Sequence, residues 1–115
     1  MDMSLLGETL YAPATGQKNY GFWMPAGGND GVAGCEVFYN SAAYAFTVHL
    51  ETKSSDQDDS SAASIGNVAV ATAGATATTY KFDVTNAKDL VRYRIDSGKA
   101  GYIHLQYAQP MWQPN

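Results

Sequence analysis

Hydrophobic and polar residues alternate with a period of two along several short stretches of the chain. The cleanest stretch is residues 44–53. Tyr44, Phe46, Val48 and Leu50 fall on one face, and Ala45, Thr47, His49, Glu51 and Lys53 fall on the other. Residues 89–112 carry two more. Val91, Tyr93 and Ile95 oppose Leu90, Arg92 and Arg94; further on, Ile103, Leu105 and Tyr107 oppose Tyr102, His104 and Gln106. Such alternation marks strands with one face in a core. Between the last two lies Ser97-Gly98-Lys99-Ala100-Gly101, whose residues tolerate positive φ, and this predicts a closing hairpin. Residues 35–39 and 44–53, joined through Asn40-Ser41-Ala42, predict another.

Tyr80, Phe82 and Val84 alternate with Lys81, Asp83 and Thr85, and Val68, Val70 and Thr72 alternate with small residues. Residues 71–79 are rich in Ala, but Gly74 and four threonines argue against a helix there. Residues 20–25 are apolar yet broken by Gly21 and Pro25, as a short strand or extended loop would be. Residues 14–17 and 86–88 are turns, 26–31 a loop, and 54–61 a polar acidic loop. The sum is an all-β fold: a single antiparallel β-sandwich, jelly-roll-like, of about seven to eight short strands. Its 115 residues suit one domain. An N-terminal arm (1–12) and a C-terminal tail (109–115) flank the body.

Composition narrows the function. The net charge is −4 without a basic cluster, so nucleic acid is not an expected partner. Cys35 is the only cysteine, which precludes an intrachain disulfide; Val37 and Tyr39 share its face, so a buried, inert thiol is expected. Residues 1–11 lack the charged start and long apolar run of a signal peptide, and no stretch is apolar enough for a membrane helix, so no membrane partner is expected.

Candidate chemistry is sparse. Asp56, Asp58 and Asp59, with Glu51 nearby, offer oxygen ligands, but the spacing fails the EF-hand pattern and a solvated loop tip is expected instead. His49 and His104 sit on polar faces without the further ligands a zinc site needs. There is no nucleophile elbow, no specified carboxylate pair and no phosphate loop. The chain is therefore expected not to be an enzyme, with no catalytic residues, no cofactor and no metal. Phe22, Trp23 and Met24 precede Pro25, while Tyr107, Met111 and Trp112 surround Pro110. Such groups either cap the open ends of a sandwich core or anchor a protein interface. The candidate partner-binding residues are Leu5, Leu6, Leu10 and Tyr11 in the arm, Trp23, and Met111 and Trp112 in the tail.

Two segments carry a resemblance. HLETKSSDQDDSS reads as a hydrophobic strand running into a polar acidic loop, and LVRYRIDSGKAGYIHLQYAQPMW as a closing hairpin with a Pro-Trp tail. In these the chain resembles the small β-sandwich cement or decoration proteins of tailed-bacteriophage capsids. The resemblance implies a virion structural protein, made in the host cytoplasm, that sits on the capsid surface as a homo-dimer or homo-trimer and bridges major capsid protein subunits. It carries over no site residues. A head-completion or tail component of the same virion, or a carbohydrate-binding β-sandwich module, is the alternative.

Overall fold

A computed structural model describes residues 5–11, 18–40, 46–70, 78–97 and 103–113. Ten strands run through them: β1 (Leu5–Tyr11), β2 (Lys18–Tyr20), β3 (Met24–Pro25), β4 (Gly31–Asn40), β5 (Phe46–Lys53), β6 (Ala63–Val70), β7 (Thr78–Val84), β8 (Leu90–Ser97), β9 (Ile103–Ala108) and β10 (Met111–Trp112). The only helical element among the described residues is a single 3-10 turn, Asp59–Ser61. The strands form two antiparallel sheets packed face to face.

In the first sheet β4 is central. β7 pairs with it along one side, and β9 followed by β10 pairs along the other, with β1 outside β9. In the second sheet β8 lies between β5 and the successive short strands β2 and β3, and β6 lies outside β5. With β3 counted as the continuation of β2, and β10 of β9, there are eight rows. Numbered in chain order, the first pairs with the eighth, the second with the seventh, the third with the sixth and the fourth with the fifth. That nested pairing, rolled into two sheets, is a jelly roll.

The alternation read from the sequence sorts the faces correctly. Val91, Tyr93 and Ile95 of β8, Phe46, Val48 and Leu50 of β5, Cys35 and Val37 of β4, Phe82 and Val84 of β7, and Leu105 and Tyr107 of β9 all enter the core. Each buried aliphatic or aromatic side chain contributes about 1.5–3 kcal/mol by leaving water. Burial pushes the Cys35 thiol up to about 12, so it stays protonated and inert.

The two hairpins are not formed. β4 and β5 belong to different sheets, as do β8 and β9. Two amphipathic strands joined by a turn look alike whether the second lies beside the first or crosses to the facing sheet. The long-range pairings choose between these, and each of the four strands has other neighbours. Among the described residues β5 instead forms a hairpin with β6, closed over the acidic loop. Residues 14–17, 41–45, 71–77 and 98–102, with the turns expected at 14–17 and 97–101, lie wholly or mainly outside the described residues. The turn expected at 86–88 is present, with Asn86 at φ 61, a conformation Asn tolerates.

The β6 and β7 edges of the two sheets meet closely: a Cβ on Gly66 would stand 2.5 Å from the Asp83 carbonyl oxygen. At the centre, the Tyr93 and Tyr107 rings stack with centroids 4.5 Å apart. The Tyr93 hydroxyl, from the second sheet, donates to the Ala108 carbonyl and accepts from the Gly34 amide at 3.1 Å. Cys35 pairs with Tyr107, so Gly34 and Ala108 stand where the next rung between β4 and β9 would be. A phenol from the facing sheet fills that rung.

Candidate functional site

The outward face of the second sheet carries the densest arrangement of polar side chains. Period-two geometry sends Arg92, Arg94 and Asp96 of β8 and His49, Glu51 and Lys53 of β5 to this side, away from the core. They are nonetheless largely covered: Glu51 is only 3% exposed, and Arg92 and Lys53 are also buried. The segment 20–25 and the acidic loop fold over them.

Carboxylates and cations alternate along the face. Glu51 accepts from Arg92 Nε at 2.9 Å and from Arg94 Nη1 at 2.6 Å. Arg94 reaches on to Asp96, with Nη2 donating at 3.1 Å and Nε standing 2.8 Å away in an ion pair without hydrogen-bond geometry. At the other end Asp59 accepts from Lys53 Nζ at 2.8 Å and from Trp23 Nε1 at 3.2 Å, with Arg92 Nη1 at 3.5 Å. The Lys53 ammonium foremost, with Arg92 and Trp23 adding to it, holds the Asp59 carboxyl below its ordinary range. Asp89 is held low in the same sense by the Ser55 amide and hydroxyl.

Aromatic rings clamp the cations. The Arg92 guanidinium lies 4.0 Å from the Tyr20 ring centroid and 4.4 Å from that of Trp23, and Lys53 Nζ lies 4.9 Å from Trp23. Such contacts contribute about 0.5–2 kcal/mol each, more as they are desolvated. One side of this cage stays open to solvent, because Tyr20 is 48% exposed and the neighbouring Phe22 is 62% exposed.

At the β6 side of the same face, His49 Nδ1 lies 2.9 Å from Ser64 Oγ, and His49 Nε2 lies 3.3 Å from Asp96 Oδ2. Burial first, then Arg94, draws the His49 pKa below its ordinary value, so the ring is neutral at neutral pH.

The candidate residues read from the sequence are distributed as follows. Leu5, Leu6, Leu10 and Tyr11 lie in β1, an edge strand paired with β9. Trp23 belongs to the cage. Met111 is exposed on β10, whereas Trp112 is half-buried, packs against the core and lies over Gly27, where a Cβ would meet its ring at 2.5 Å. Trp112 thus caps one end of the sandwich. Glu51 and Asp59 face arginine and lysine instead of converging on one point, and among the described residues no His, Cys, Asp and Glu group has metal-site geometry. Sequence reasoning grouped Phe22 with Trp23 and Met24 but did not join Tyr20 and Arg92 to Trp23. Tyr20 lies three residues before Trp23 in the chain, but β8 supplies Arg92, and only sheet pairing brings it to the Tyr20 and Trp23 rings.

No protein-family model matches this chain, and no curated protein matches it.

Proposed function

We propose that this protein is a virion structural protein, a decoration protein that binds the major capsid protein and bridges neighbouring coat subunits without catalysing a reaction. The observation that carries this reading is the Tyr20–Trp23–Arg92 cluster, with the exposed Phe22 next to Trp23 in the chain, at one edge of a compact jelly roll. Tyr, Trp and Arg are the residues that dominate protein-interface energetics, and here Arg92 is clamped by Tyr20 and Trp23 while the Tyr20 ring, like the nearby Phe22, stays exposed. Rigid anchors lose little side-chain entropy on docking. β1 adds a second means of attachment, since among the described strands nothing pairs with its outer edge. A lattice multiplies such contacts through avidity, so each need only be modest. In this reading the protein acts on the capsid surface as a dimer or trimer.

The test is to sediment particles from the native source and count copies of this chain against the coat protein by mass spectrometry. Hundreds of copies in simple ratio to the coat protein are expected, and binding of purified protein to undecorated particles should fall at least tenfold in the Tyr20→Ala/Phe22→Ala variant. A handful of copies would move the protein to the neck or tail. Absence from the particle would end the virion reading.

A second reading draws on the same rings. Exposed Tyr and Phe beside Asp and Arg also suit the apolar face and hydroxyls of a sugar ring, as in a carbohydrate-binding module. Trp23 fluorescence that changes on titration with an oligosaccharide supports that reading; no change across a glycan panel removes it.

A further inference from the structure

Ser64, His49 and Asp96 stand in line on the outward face of the second sheet, apart from the aromatic cage: Ser64 is hydrogen-bonded to one ring nitrogen of His49, and Asp96 lies 3.3 Å from the other. We propose that Ser64 is a nucleophile activated by His49 and Asp96, which accepts an acyl group from an activated ester or thioester.

Three features carry the proposal. The first is a change of register. His49 pairs with Asn67 and Leu50 with Gly66, but Glu51 pairs with Ser64, so Ile65 is the extra residue of a β-bulge. In an unbroken ladder Ile65 would oppose Glu51, and Ser64 would point to the core side. The bulge turns Ser64 outward onto the face that His49 occupies. The second is the orientation of the imidazole. The Asp96 carboxylate, 3.3 Å from Nε2 without hydrogen-bond geometry, favours by its charge the tautomer protonated there, which turns the Nδ1 lone pair to Ser64 Oγ at 2.9 Å. Asp96 is itself fixed by Arg94. This is the order of roles in a nucleophile–base–orienter set, with the two ring nitrogens exchanged. The third is access: Ser64 is exposed, so an acyl donor can reach it.

In the step, Ser64 Oγ attacks the carbonyl carbon of the donor while its proton passes to His49 Nδ1. The new C–O bond forms, the donor's carbonyl electron pair returns as the bond to the leaving group breaks, and the departing phenolate or thiolate takes the proton from His49. The product is an acyl-serine and a free phenol or thiol. Ser64 Oγ also lies 3.2 Å from the Gly66 carbonyl oxygen, which shares its proton in the resting state. The charged groups facing His49 are Lys18 of β2, Arg94 and Asp96 of β8, and Glu51 of β5, while β6 presents the neutral Ser64 and Asn67. This chemistry is a single acylation, stands beside the structural role and does not depend on it.

The intact protein treated with p-nitrophenyl acetate tests it. One equivalent of nitrophenolate should be released, with one acetyl group on the peptide carrying Ser64. The rate should rise with pH as His49 loses its proton and level off above about pH 6.5, the ordinary histidine value. Ser64→Ala should abolish the labelling. His49→Gln should slow it by about a hundredfold or more, the range expected for loss of a general base. Acetyl groups confined to lysines, a Ser64 rate unchanged in His49→Gln, or a rate that climbs through the alkaline range without levelling would each overturn the proposal. A His49→Gln chain that fails to fold leaves the wild-type pH profile and Ser64→Ala to decide.

Discussion

At the scale of single residues, Tyr93 does the most varied work. Its ring stacks on Tyr107 in the core, and its hydroxyl is bonded on both sides to backbone of the other sheet. Burial raises its pKa well above the ordinary tyrosine value, so the donor proton is retained at neutral and mildly alkaline pH. Tyr93→Phe keeps the stack but strands a buried amide and a buried carbonyl. It should cost about 1–3 kcal/mol, read as a lower urea midpoint with an unchanged slope; parental stability would mean that water replaces the hydroxyl. The sequence placed Tyr93 correctly on the core face of its strand. Its hydroxyl partners were out of reach, because they depend on a gap in a ladder between strands far away in the chain. Ser64 was hidden for a related reason: a bulge reverses the face that simple alternation assigns it, and Gly66 was the sole local sign.

Among elements, β5 and β8 show what alternation can and cannot reveal. Both faces of both strands were legible, and so was the acidic loop after β5. The pairing was not, and the two expected hairpins became crossings between sheets. The outward face illustrates the cost of that gap: the sequence puts Glu51, Arg92 and Arg94 on polar faces, yet Glu51 and Arg92 are buried and Arg94 half-buried once β5 lies beside β8. Removing one member of a buried ion pair leaves the others uncompensated. Glu51→Ala should therefore destabilise the protein by about 3–5 kcal/mol in denaturant titration. A loss below about 1 kcal/mol would instead describe a surface pair, open to water.

For the whole molecule, the ionisable groups set a pH dependence with a definite sign. His49, Asp59 and Asp89 all have folded-state pKa values below their ordinary ones. Each such group contributes stability that is present above its unfolded pKa and lost as the pH falls through the folded value. Thermal stability should thus decline on acidification in two stages, the first below about pH 6.5 from His49 and the second below about pH 4 from the aspartates. Melting curves across this range test it, and Asp59→Asn should flatten the second stage; a melting temperature that rises between neutral pH and pH 5 contradicts it. The jelly-roll class was legible in the chain because strand number and face polarity suffice to indicate it. The nested strand order was not, since it resides in contacts between distant segments.

The phenol that completes the β4–β9 ladder has a consequence for amide exchange. Amide protons in a sheet normally report the integrity of their own sheet. Gly34, at the centre of the first sheet, is protected by a hydroxyl borrowed from the second. Its exchange with deuterium therefore times the separation of the two layers, and a motion that slid them apart would expose this proton while neighbouring rungs remained closed.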